Sequence, residues 1–93
     1  MISVTDRARE RLKTILMSKV DNPEAALRLT ADAQGEFGLS VDVEAPGDRV
    51  IRHKGMKVLV VEGDLASQLE GVTMDVEYTP EGPELTVYKG QQQ

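Results

Sequence analysis

Ninety-three residues, 40% hydrophobic and 29% charged, suit one small domain with a single core and are too few for two. The net charge of −5 repels phosphate backbones and argues against direct DNA or RNA binding, and no apolar run approaches the roughly 18 residues that cross a bilayer. Cysteine is absent, which removes disulfides, thiolate metal ligands and a cysteine nucleophile, and makes a reducing, cytoplasmic home the expectation.

The chain opens without the pattern of a signal sequence, since Met1 to Val4 runs directly into a helix start. Thr5 and Asp6 offer an N-cap ahead of Ala8, Leu12, Ile15 and Leu16, whose spacing places them on one helical stripe. A helix over about 6–18 is predicted, broken at Asp21-Asn22-Pro23 because the residue before a proline avoids helical geometry. This first stretch, residues 1–20, carries a charge of +3 and the remainder −8, a polarity most simply read as a solvated helix face beside an acidic sheet.

The hydrophobic period then changes from helix to strand. Leu27, Leu29 and Ala31 alternate with Arg28, Thr30 and Asp32, and Leu39, Val41 and Val43 alternate with Ser40, Asp42 and Glu44, as half-buried strands require. Turn chemistry at Ala45-Pro46-Gly47-Asp48 and at Lys54-Gly55 separates the second of these from strands 49–53 and 57–61, and the three are expected to form a meander. The unbroken run Val58-Leu59-Val60-Val61 predicts a central strand covered on both sides.

Asp64 is the expected cap of a short helix over 65–70 that ends at Gly71, and Val72, Met74, Val76 and Tyr78 alternate along a further strand. A proline-rich connection, Thr79-Pro80-Glu81-Gly82-Pro83, leads to a last strand over 85–88, and a polar, disordered tail is expected at 90–93. The predicted class is mainly β with two short helices (α+β), one domain over 1–89.

In order and spacing these segments resemble the A-type iron-sulfur carrier (HesB-like) family across residues 1–89. The likeness rests on Ile2-Ser3-Val4-Thr5-Asp6-Arg7-Ala8, Ala26-Leu27-Arg28-Leu29, Gly55-Met56-Lys57-Val58-Leu59-Val60 and Leu69-Glu70-Gly71-Val72-Thr73-Met74-Asp75-Val76. It implies a compact HesB-like sandwich or barrel of mixed short strands. In that family a Gly-Cys-x-Gly turn and a C-terminal Cys-Gly-Cys supply thiolates for iron or a cluster. Here the turn reads Gly35-Glu36-Phe37-Gly38, and Tyr88-Lys89-Gly90 runs into glutamines with no counterpart of the second motif. Soft thiolate ligation is not replaced by a lone carboxylate, so the resemblance implies the fold and a surface for similar protein partners, with no cofactor expected.

Candidate sites follow from this. Gly35, Glu36, Phe37 and Gly38 are the partner-binding candidates; Phe37, the only phenylalanine, packs on the core edge or, if exposed, marks an interface. Glu36 with Asp42 and Glu44 is the alternative, a carboxylate site for a hard divalent ion. Asp42/Glu44 and Asp75/Glu77 each share a strand face and would form an acidic patch if they converged, although a solvated outer sheet face is the favoured reading. His53, the only histidine, is expected to be exposed beside its turn and gives little support to zinc; an enzyme would need a deep pocket gathering it with two acids. Ser3, Ser18, Ser40 and Ser67 lack a nucleophile-elbow context, and no Walker or dinucleotide fingerprint is present. The expectation is a non-enzymatic, protein-binding domain related to iron-sulfur assembly. Sheet edges need covering, so self-association is open, with monomer and dimer equally compatible with the sequence.

Overall fold

The computed structural model describes residues 2–89; the expected tail at 90–93 lies outside them. Over the described residues the order is β1 (Ser3–Val4), α1 (Asp6–Lys19), β2 (Ala25–Ala31), β3 (Phe37–Val43), β4 (Arg49–His53), β5 (Met56–Val61), α2 (Gly63–Gln68), β6 (Val72–Thr79) and β7 (Gly82–Lys89). The small α+β architecture expected from the sequence is the one adopted, as two mixed sheets with two helices.

α1 starts where its cap residue allows. The Thr5 hydroxyl oxygen accepts from the Ala8 amide at 3.2 Å, and the same hydroxyl donates to Asp75 Oδ1 at 2.7 Å, so one side chain caps the helix and ties it to β6. Ala8, Leu12 and Leu16 are buried along one stripe, and the helix packs on β4 and β5 of one sheet and β6 of the other. β1, absent from the sequence reading, forms because Ile2 and Val4 are buried and its backbone runs parallel to β6, with Ser3 opposite Thr73.

The larger sheet has the order β3-β2-β5-β4 and the smaller β1-β6-β7. Val58, Leu59, Val60 and Val61 are fully buried in β5, which lies between β2 and β4. That burial corrects the expected meander. β5 pairs in parallel with β2, Leu27 opposite Leu59, and takes the central place, so β3 and β4 end on opposite edges of the sheet. β6 and β7 close a hairpin whose turn is only Pro80-Glu81; Pro83 stands on edge strand β7, where a missing amide donor is tolerated. Glu62, rather than Asp64, caps α2, its carboxylate accepting from the Leu65 amide.

The core joins both sheets and α1 through Leu12, Leu27, Leu59, Val58, Val61 and Met74. One strand stays outside it. Val41 and Val43 of β3 are 38% and 50% exposed and Leu39 is only partly covered, against the expected half-buried face; Ala31 at the end of β2 is exposed as well. Alternation shows which residues share a face, but an edge strand that overhangs its neighbours leaves that face in water.

Candidate functional site

The segment that resembles the family's ligand turn joins β2 to β3. Asp32 organises it: its Oδ1 accepts from the amides of Gln34 and Glu36, each at 2.9 Å, its carbonyl accepts from the Gly35 amide at 3.0 Å, and its own amide donates to the Glu36 carbonyl at 2.9 Å. Gly35 adopts φ +80°, a left-handed conformation that glycine reaches without strain. At Gly38 a Cβ would stand 3.2 Å from the Thr30 hydroxyl, so a small residue suits the close approach of the two strands. The turn is therefore shaped by its own hydrogen bonds and needs no ligand to hold it.

Glu36 is exposed, and so is Phe37, at 42%. Phe37 borders an apolar groove of about 240 Å³ between the open edges of the two sheets, lined also by Leu29, Leu39, Met74, Leu85 and Val87. Gly35, Glu36, Phe37 and Gly38 are thus presented together at the head of an edge strand.

Of the carboxylates named as hard-metal candidates, Glu36 is exposed, and Asp42 and Glu44 are placed against cations. Arg28 Nε donates to Asp42 Oδ2 at 2.7 Å, while its two terminal nitrogens hold Asp48 at 3.0 and 2.7 Å. The Asp48 side chain is only 2% exposed. The Arg28 guanidinium holds Asp48 below the ordinary carboxylate range; Asp42 is lowered first by the Val43 amide and then by Arg28. Glu44 and Glu24 lie 3.6 and 3.7 Å from the Lys57 ammonium. Asp75 accepts from Arg7 in bidentate fashion at 2.7 and 2.9 Å and from Thr5, which depress its pKa strongly. Asp42, Glu44 and Asp75 are thus each held by a different cation, and no acidic patch forms from them. Among the described residues no group of three or more His, Cys, Asp or Glu side chains is placed to hold a metal ion.

His53 departs from its expected exposure. Its side chain is 11% exposed, with Nε2 at 2.8 Å from Glu10 Oε1, an interaction that lowers the Glu10 pKa and ties α1 to β4. The surface beside it is an open, shallow depression in which Asp6 and Glu10 lie among Arg7, Arg9, Arg52 and Lys54, and it contains none of Glu36, Asp42 or Glu44. His53 is a structural contact between elements.

Sequence reading missed the Arg28 hub and the exposed apolar row on β3. Arg28 lies opposite Ser40 in the β2–β3 register, which brings it beside Asp42, but Asp48 joins only because the following loop folds back. A lone arginine within an apolar strand was the available signal.

Around this edge the chain path is that of the A-type iron-sulfur carriers, the HesB-like fold. Three solved structures carry the likeness. IscA, crystallised with a 2Fe-2S cluster, has a TM-score of 0.63 at 15% identity over 96% of this chain and 85% of that one. SufA of Escherichia coli, involved in the biosynthesis of iron-sulfur clusters, gives 0.63 at 16% over 99% and 82%. A protein of Aquifex aeolicus solved by NMR gives 0.58 at 22% over 95% and 90%. No family model and no curated protein matches the sequence. At these identities the likeness establishes the fold. Among the described residues no helix is long and apolar enough to cross a membrane.

Proposed function

We propose that the chain is a divergent, non-catalytic relative of the A-type carriers, with residues 1–89 as one cytoplasmic domain, that serves iron-sulfur cluster assembly by binding a protein partner rather than a cluster. One observation carries the reading: a carrier fold presents Glu36, exposed, where the family it resembles places a thiolate, in a sequence that holds no cysteine. Iron-sulfur clusters are held by charge-donating sulfur, and an isolated carboxylate supplies neither the softness nor the ligand number. The neighbours' own connection to clusters supports the cellular setting. The presented segment Gly35–Gly38, with the exposed ring of Phe37 beside an apolar groove, supports protein contact.

Ferrous iron and sulfide added under anaerobic conditions should leave the protein without a stable visible absorption band after desalting. A stoichiometric, protein-bound cluster would overturn the proposal.

A further inference from the structure

The start of α1 and the turn between β4 and β5 bring together cations that stand 43 residues apart in the chain. Arg9 is fixed there: its Nε donates to the Val4 carbonyl at 3.1 Å and its Nη1 to the Arg52 carbonyl at 2.7 Å, while Nη2 has no partner among the described residues. Arg52 reaches only the Gly55 carbonyl, at 3.5 Å. With Arg7 and Lys54 they line the open depression of about 570 Å³ beside His53. Among the described residues none of Arg9, Arg52 and Lys54 forms an ion pair with a carboxylate, although acids outnumber bases 16 to 11 in the chain.

The turn holds its lysine against local preference. His53 pairs with Met56, which leaves Lys54-Gly55 as a two-residue turn with φ of 52° and 83°. Both angles are left-handed, a geometry that Asn-Gly or Gly-Gly adopts most readily, and Lys54 is the one non-glycine residue with positive φ among the described residues. Its side chain is exposed at the rim of the depression. A strained backbone position filled by an exposed charge without an ion pair is a feature that function, and not the fold, accounts for.

We propose that this depression seats an acidic segment of a partner protein, whose carboxylates take the open donors of Arg9, Arg52 and Lys54. Charge complementarity chooses the occupant. Four Arg and Lys side chains against two acids give the lining a local charge of +2, in a chain of −5. Both acids are already engaged, Glu10 by His53 at 2.8 Å and Asp6 by the amino-terminal end of α1, so the cations remain available. At about 0.1 M salt the screening length is about 10 Å, and a segment seated here is governed by these cations rather than by the acids spread over the sheets. Exposed ion pairs are individually weak, so several must act together. A single small anion in an open depression stays half hydrated, whereas carboxylates spaced along an extended segment reach Arg9, Arg52 and Lys54 at once.

The inference goes beyond the accessory reading and does not depend on it. The depression lies at β4, on the opposite edge of the larger sheet from β3 and its Gly35–Gly38 turn, and a bound cluster would overturn that reading while leaving this one untouched. The probe is a blocked peptide of alternating Glu and Ser, titrated into the isotope-labelled full chain at about 0.1 M salt. Amide shifts should saturate, concentrate at Arg9 and residues 52–55, and give a dissociation constant below about 1 mM that rises about tenfold or more by about 0.5 M salt. Arg52→Glu with Lys54→Glu should weaken binding about tenfold or more, while Lys19→Glu with Lys89→Glu, an equal change of net charge outside the depression, should leave it within about twofold, with circular dichroism confirming that both are folded. Lys54→Asn should melt no lower than the parent, because asparagine suits the turn better, yet bind the peptide about threefold or more weakly. Shifts that do not saturate, a control pair as damaging as the reversal at the site, or unchanged binding by Lys54→Asn would each overturn the proposal. Displacement of the peptide by stoichiometric pyrophosphate, or tighter binding of a single-stranded oligonucleotide, would overturn it too, by making this a phosphate site.

Discussion

Replacing Arg28 with leucine tests the one charge cluster that ties β2, β3 and the loop before β4 together. The substitution keeps most of the aliphatic bulk and deletes one bond to Asp42, two to Asp48 and one to the Val43 carbonyl. Asp48 decides the magnitude. Its carboxylate, 2% exposed, would keep only the Ala45 amide at 2.7 Å, leaving a covered charge without its cation. Breaking a deeply buried pair costs about 3–5 kcal/mol, and Arg28 is itself 16% exposed, so about 2–3 kcal/mol is expected at pH 7. For a chain of this size that lowers Tm by about 4–8 °C per kcal/mol. The sign with pH is opposite in the two proteins. In the parent the Asp48 pKa is lowered, so its contribution is full above the unfolded value near 4 and is lost as pH falls through the folded one. In Arg28→Leu burial without a cation raises that pKa, so acid relieves the variant. Urea unfolding at fixed protein concentration should therefore show a gap that is widest at neutral pH and narrows below about pH 4. A loss under about 1 kcal/mol, or a gap indifferent to acid, would refute the assignment of Asp48 as a covered, cation-dependent charge.

Leu59→Ala, at a fully buried position of the central strand, should cost about 2–5 kcal/mol by urea unfolding. Gly35→Ala forces a Cβ into φ +80° and should cost about 1–2 kcal/mol although its Cβ would meet nothing within 4 Å, so thermal melting reports backbone strain alone. Asp75→Asn removes the acceptor of Arg7 and should destabilise at neutral pH; because the native pKa is depressed, the difference from the parent should persist through mildly acidic conditions and vanish only well below the usual carboxylate range, as pH-dependent melting would show. Glu36→Ala, in an exposed turn organised by Asp32, should change stability by less than about 0.5 kcal/mol, and a larger loss would mean the side chain has a structural role.

The elements legible in the sequence were those whose signal is local. The helix over 6–18 was one residue short of α1, because the Thr5 cap and the Ala8, Leu12, Leu16 stripe are written within a few residues of each other. The central position of Val58–Val61 was legible too, since only a strand covered on both faces reads as an unbroken apolar run. Pairing across the chain was not. Nothing within residues 37–61 states that β5 would insert beside β2 in parallel and send β3 to one edge and β4 to the other. The apolar row of β3 was misplaced for the same reason: Leu39, Val41 and Val43 have the alternation of a buried face, and only strand order reveals that their face overhangs the core. For the candidate site, the glycine frame located the turn but not Asp32, whose carboxylate makes the turn hold.

Arg28 links the stability of the fold to the geometry of its open edge. The guanidinium that keeps Asp48 charged also bonds the Val43 carbonyl, and through Asp42, which accepts from the Val43 amide, it closes the last residue of β3 to pairing. Where that cap begins, the open backbone edge of β3 ends, and Phe37–Val41 is the stretch left beyond it. Removing Arg28 would therefore uncover the backbone of Val43 as well as loosen the loop. With the Val43 carbonyl released and Asp42 no longer held, the Val43 amide should exchange with solvent deuterium faster in Arg28→Leu than in the parent, by more than the buried amides of β5, at a temperature where the variant remains folded. An unchanged rate would separate the two roles and place the limit of the edge somewhere other than this arginine.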